Sequence, residues 1–195
     1  MSKGEATRQA VLDRAVEVAR QVGLSGLTIG QLAEQTQMSK SGLFAHFRSK
    51  EALQIAVLEH ARAAFEAHVA RPALKAPRGE ARVRSLFDHW LRWLTLPGGC
   101  PFVAAATEFD DQPGPVRDRV VHDLRDLFDM IGTVFRTGIT EGQFRADADP
   151  DQFAQDFYGV ILGYHYVRRL FGDDRAEERA RHALDALLEQ ARRPA

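Results

Sequence analysis

Thr28-Ile29-Gly30-Gln31-Leu32-Ala33-Glu34-Gln35-Thr36-Gln37-Met38-Ser39-Lys40-Ser41-Gly42-Leu43-Phe44-Ala45-His46-Phe47-Arg48-Ser49-Lys50 is the stretch that decides the fold. Thr28 is a good helix N-cap, and Gln31 stands three residues on, in capping-box position. Ile29, Leu32 and Ala33 supply the buried face of the short helix that follows. A turn is then expected over Gln35 to Met38, with a second N-cap at Ser39. Leu43, Phe44 and Phe47 lie on the helix it starts. Two short helices joined by a tight turn make a helix-turn-helix, whose second helix enters the major groove of DNA. Double-stranded DNA is therefore the expected partner.

Outward from this stretch, nearly every segment has a helical period and none alternates as a strand would. A first helix is expected from about Lys3 to Val22, with Gly23 and Gly26 bracketing a turn. Ser49 caps a long fourth helix that starts near Lys50 and ends before Pro72 and Pro77. Further helices are expected over about 80–96, 102–109, 115–140, 150–171 and 175–192. Their breaks fall at Pro97-Gly98-Gly99, Asp110-Asp111-Gln112-Pro113-Gly114, Glu141-Gly142 and Gly172-Asp173-Asp174. The expected fold class is all-α, with about nine helices. Residues 1–50 form a three-helix head, the helix at about 50–71 connects, and 51–195 form a helical body.

The 195 residues are 45% apolar and 27% charged, the balance of an ordinary globular protein. Net charge is −1, which argues against indiscriminate binding to nucleic acid. The first fifty residues are nevertheless basic: Lys3, Arg8, Arg14, Arg20, Lys40, Arg48 and Lys50 face only Glu5, Asp13, Glu17 and Glu34. That suits a protein touching phosphate at one end. No apolar run approaches the roughly 18 residues of a membrane span. No charged-then-apolar leader opens the sequence, so secretion is not expected. A single cysteine, Cys100, excludes an internal disulfide and suits a reducing cytoplasm. Its thiol is either a sensor or a plain buried side chain. Glu108, Asp110, Asp111 and His122 fit no metal-ligand spacing. There is no catalytic motif and no phosphate-cradling glycine loop, so no cofactor and no enzyme activity are expected.

About the first 60 residues resemble the TetR family of transcriptional regulators. The resemblance rests on Ala33-Glu34 and on Met38-Ser39-Lys40-Ser41-Gly42-Leu43-Phe44-Ala45-His46-Phe47-Arg48-Ser49-Lys50-Glu51. The aromatic–x–His–aromatic segment followed by basic–Ser–Lys–Glu is its specific part. Two positions depart from the family pattern. Gln37 stands where glycine is usual, and Phe44 stands where tyrosine is commoner, which removes a phenolic hydroxyl from phosphate. The remaining chain resembles the family in plan, including Gly142-Gln143-Phe144-Arg145 ahead of Asp149-Pro150.

The resemblance implies a head that binds DNA through Thr28, Ser39, Lys40, Ser41, Gly42, Phe44, His46 and Lys50. Thr28 and Ser39 are helix caps that also present backbone N–H groups to phosphate. Lys40 donates either to guanine or to phosphate. Gly42 admits close approach of the backbone to the groove. Phe44 meets either sugar or a thymine methyl, and His46 and Lys50 occupy phosphate-contacting positions. The body is implied to hold a ligand and to dimerise. Trp90, Phe109, Phe128, Phe157 and Ile161 are the candidate pocket residues, and their character points to a small hydrophobic effector. Tyr164, Val167, Ala183, Leu184, Leu187 and Leu188 are candidates for a homodimer interface, or else pack within the monomer. The function implied is a repressor released from a palindromic operator by its ligand. An activator or ligand-independent regulator on the same fold is the alternative, ahead of a helical partner-binding module.

Overall fold

The computed structural model describes residues 3–192. Among these, nine helical segments and no strand are present, joined by one isolated bridge between Phe144 and Arg192. The segments are α1 (Lys3–Gly26), α2 (Ile29–Thr36), α3 (Lys40–Phe47), α4 (Lys50–Phe65), α5 (Glu80–Leu94), α6 (Pro101–Phe109), α7 (Pro115–Thr140), α8 (Pro150–Phe171) and α9 (Ala176–Ala191). After Phe65, α4 widens into a π-turn over Glu66–Ala70 and ends in a single α-turn, Arg71–Ala73. The all-α expectation holds, and most helix ends fall within two residues of their sequence signals.

The ends follow local chemistry. Thr28 Oγ1 accepts the Gln31 N–H at 3.1 Å, Ser39 Oγ accepts that of Gly42 at 3.1 Å, and Ser49 Oγ that of Ala52 at 3.0 Å. Each satisfies an amide that the helix itself leaves orphaned. Only half of the expected capping box forms at α2. The Gln31 side chain takes a hydrogen bond from the Thr28 hydroxyl at 3.1 Å instead of reaching back to the backbone. Asp149 caps α8 through the Asp151 and Gln152 amides, and Gly172 ends that helix in the left-handed region. α1 runs on to Gly26 only across a break, because Gly23 has φ 79°.

Contacts divide the chain into two compact units. The first takes residues 1–65 and 96–124. It holds α1 to α4, α6 and the start of α7. In it Leu12, Leu27, Leu32, Leu43, Phe47 and Leu53 are buried, and the Arg8 guanidinium lies over the Phe47 ring at 5.4 Å. Asp123 of α7 is buried and is held between Arg62 of α4 at 2.9 Å and Arg119 at 2.9 Å. Arg119 also reaches Glu59 at 2.7 Å. Taking a carboxylate out of water is costly, and two arginines offset that cost here.

The second unit takes residues 66–95 and 125–195. Phe135 is sandwiched between Phe144 at 4.6 Å and Phe153 at 4.0 Å. Phe144 lies so close to α7 that a Cβ on Gly138 would fall 2.2 Å from its ring, so only glycine fits there. α5 and α9 are tied by charge. Arg192 grips both carboxylate oxygens of Glu80 at 2.8 and 2.9 Å, Arg84 bridges Glu80 and Asp185, and Arg181 meets Asp88 at 2.6 Å.

Two measurements check this account. Gln37 occupies the left-handed region at φ 55°, so the sharp α2–α3 turn is kept at the expense of strain. Gln37→Gly is expected to stabilise the protein by about 1 kcal/mol in urea denaturation. The hydrogen bond from Arg192, followed by Arg84, lowers the Glu80 pKa from 4.5 to about 2. Its contribution to stability is therefore complete above pH 4.5 and is lost as pH falls towards 2. Glu80→Gln is expected to remove that part of the acid transition and leave the rest of the pH profile in place.

Candidate nucleic-acid interface

α3 turns two faces in opposite directions. Leu43 and Phe47 are buried, while Lys40, Ser41, Phe44 and Ala45 are exposed, with Gly42 and His46 between these extremes. Phe44 is 50% exposed and Phe47 2%, so the two aromatics divide between surface and core. Ser39 Oγ caps α3 and also lies 3.1 Å from Ser41 Oγ. The Lys40 side chain leans across the first turn of α2. A Cβ built on Gly30 would lie 3.7 Å from its Cε, 3.9 Å from its Nζ and 3.9 Å from Thr28 Oγ1. An ammonium group and the N-terminus of α2 thus share one small region, an arrangement that favours an anionic oxygen.

The end of α1 is fastened on both sides. The Glu108 carboxylate of α6 accepts the Leu24 N–H at 3.1 Å and the Ser25 N–H at 2.6 Å. The matching carbonyls are held from α4: buried Gln54 donates to Leu24 O at 2.9 Å, and Lys50 Nζ donates to Ser25 O at 2.6 Å. Gly23 lets Glu108 come this close, because a Cβ there would lie 2.4 Å from Oε1. The Arg20 guanidinium donates to the Gly99 carbonyl beside buried Cys100, and burial lowers the Arg20 pKa. Sequence reading missed Glu108 as an organising residue. Lys50 keeps two of its three donors for another partner.

The remaining candidates separate. Trp90, Phe157 and Ile161 are at most 2% exposed. Trp90 lies 6.0 Å from the Phe157 ring and 6.0 Å from that of Tyr158, which meets Phe128 at 5.1 Å. These residues form one aromatic cluster of the second unit. Phe109 is in the first unit, on the wall of a cavity of about 280 Å³ shared with Ser25, Lys50, Gln54 and Arg117. The second unit has a larger cavity, about 440 Å³, lined by Phe135, Arg145, Gln152, Phe153 and Leu187, and none of the five candidate pocket residues borders it. Leu184 and Leu188 are buried inside the second unit. Tyr164, Val167 and Ala183 instead line a shallow apolar hollow of about 200 Å³ with Val160 and Ala180. The Tyr164 hydroxyl is buried there without a hydrogen-bond partner. Among the described residues no helix is long and apolar enough to cross a membrane.

An all-helical chain whose capped α2–α3 pair presents one solvent-facing recognition helix belongs to the class of helix-turn-helix DNA-binding regulators. Comparison with known proteins narrows this. Residues 11–57 match the model of bacterial regulatory proteins of the tetR family, and residues 79–184 match the tetracyclin repressor-like C-terminal domain. The chain belongs to the TetR family and is a DNA-binding transcriptional regulator. NemR, an HTH-type transcriptional repressor of Escherichia coli K12, is 25% identical over 162 residues, covering 80% of this chain and 81% of NemR. RutR of the same organism is 43% identical over 53 residues, covering 27% of this chain and 25% of RutR. A TetR transcriptional regulator from Chloroflexus aurantiacus superposes with a TM-score of 0.87 at 26% identity over the whole of both chains.

Removing the Glu108 carboxylate leaves two amides at the end of α1 without their acceptor. Hydrogen bonds to a charged group contribute about 1.5–3 kcal/mol each. Glu108→Ala is therefore expected to destabilise the protein by about 2 kcal/mol or more in urea denaturation, with faster amide exchange at Leu24 and Ser25.

Proposed function

We propose that this regulator is a repressor that binds a palindromic operator as a homodimer and leaves it when a small hydrophobic ligand occupies the second unit. The observation that carries the DNA part is the free face of α3, with Lys40 beside the α2 N-terminus at its start and His46, Arg48 and Lys50 following in sequence at its end. Thr28, Ser39, Lys40, His46 and Lys50 hold backbone phosphate in this reading, while Ser41, Gly42 and Phe44 face the groove.

Dimerisation follows from the geometry of reading a palindrome, which needs two heads about 34–36 Å apart. The hollow at Tyr164, Val167 and Ala183 supports a face on α8 and α9 for the second copy, since a buried hydroxyl without a partner is costly until one is supplied. Leu187 borders the larger cavity of the second unit instead, and Leu184 and Leu188 are buried. The apolar character of the Trp90, Phe128, Phe157 and Tyr158 cluster supports an apolar effector, whose entry has to part rings that pack on one another, at the side of half-buried Phe128. The ligand lowers operator affinity only by as much as it prefers the released state.

Selection of bound duplexes from a random pool, repeated with acyl and aromatic compounds, tests the reading. A palindromic consensus whose binding falls on adding one such compound is the expected result. Binding without sequence preference, or tightened by the effector, overturns the repressor assignment. In the same assay Lys40→Ala is expected to weaken all duplexes about equally and to reduce the salt dependence by about one ion per head, as loss of a phosphate contact does.

A further inference from the structure

The cavity of about 280 Å³ in the first unit brings charge and apolar surface together. Phe109 and Val116, both buried, give it apolar wall. Two cations border it. Lys50 Nζ donates to Ser25 O at 2.6 Å, which leaves two of its three donors open. Arg117 Nε donates to Asp110 O at 2.9 Å, and its Nη groups have no partner among the described residues. One carboxylate, that of exposed Glu51, shares the border and has no ion pair among the described residues. Two cations against one carboxylate leave an excess of one positive charge.

That excess beside apolar wall matches a ligand with a single negative charge and an apolar remainder. A carboxylate meets a guanidinium through two parallel hydrogen bonds, and an ammonium adds a further donor. A doubly charged phosphate would face the Glu51 carboxylate at the same border. The volume lies below the roughly 300–1,000 Å³ of ordinary ligand pockets, so the apolar remainder is small. We propose that this cavity is a second effector site, separate from the aromatic cluster, and that it takes a small apolar monocarboxylate, an aromatic or short acyl acid, held by Arg117 and Lys50. The position of the site has a consequence for DNA. Lys50 is a phosphate donor in the operator reading above, and the bound acid takes up the donors that phosphate would use. The acid therefore lowers operator affinity by competing for Lys50. This effect rests on the operator reading, whereas binding of the acid does not.

The test first uses the full chain without DNA. Benzoate, its uncharged counterpart benzamide and inorganic phosphate are titrated calorimetrically at constant ionic strength. Benzoate is expected to bind about tenfold more tightly than benzamide, as a charge-assisted contact does. Arg117→Ala is expected to remove that preference. Glu51→Gln, which takes away the competing carboxylate, is expected to raise benzoate affinity about threefold, the scale of one exposed charge. A loss of folding does not produce a gain in affinity, so the two variants together separate the site from general damage. No binding of benzoate, equal binding of benzoate and benzamide, or a preference that survives in Arg117→Ala overturns the site. Phosphate bound more tightly than benzoate overturns the class of ligand. A duplex selected by the chain from a random pool then tests the effect on DNA. Saturating benzoate is expected to weaken duplex binding about tenfold and to reduce its salt dependence by about one ion per head. Arg117→Ala is expected to bind the duplex as the parent does and to ignore benzoate. Benzoate that binds the protein and leaves duplex affinity unchanged overturns the competition for Lys50. Absence of any selected duplex overturns the operator reading, and the titrations still decide the site.

Discussion

The hydrogen bonds at Leu24 and Ser25 are the constraint on which the head depends. α1 is broken at Gly23, which has a positive φ, and the amides just beyond the break need acceptors from elsewhere. Glu108 of α6 takes both amides, while Gln54 and Lys50 of α4 take both carbonyls. Each group lost here would leave a polar atom unpaired near a packed core, which costs more than the bond itself contributes. The direction in which the chain enters Thr28 and α2 is thereby fixed by two other helices of the same unit. A recognition helix of eight residues has little stability of its own. Its position depends on the scaffold that is held at this point.

The charged groups of the first unit extend the same logic along α4. Gln54, Glu59 and Arg62 of α4 each meet a partner from another element, Gln54 from within the buried part of the helix. Buried Asp123 accepts two guanidinium groups at once, one from α4 and one from its own helix. Moving either arginine removes one of the two pairings that offset the burial of this carboxylate. α7 gives its first turns to this network and its later turns to the aromatic cluster of the second unit. A single continuous helix therefore carries both a charge-locked segment and an apolar one.

Local signals made most of the fold legible. Thr28, Ser39, Ser49 and Asp149 are caps whose oxygens have no better use, and the prolines at 101, 115 and 150 stand at helix starts where a missing amide costs nothing. The π-turn at 66–70 had no such signal, since it is a tertiary compromise within a good helical sequence. Periodicity marked Trp90, Phe157 and Ile161 as inward-facing, but a period does not tell whether the inward space is filled by neighbours or by a ligand. In the structure neighbours fill it. The same ambiguity applied to Leu184 and Leu188, which are spent inside the second unit, whereas Tyr164 and Val167 remain at a surface hollow. Glu108 gave no warning because its partners are backbone atoms more than eighty residues away.

The head also explains how a chain of net charge −1 can bind DNA selectively. Phosphate contacts raise affinity for every sequence alike and fade with salt, so a head with many cations gains attachment without discrimination. Here the cations near α3 are few, and Lys50 already spends one donor on Ser25. Apolar contact in the groove has the opposite character. It distinguishes bases, it releases no counterions, and it survives at salt concentrations that strip non-specific binding away. In the proposed reading, where Phe44 faces the groove beside a small set of phosphate contacts, such contact favours a high ratio of specific to non-specific affinity over a high affinity for DNA as such.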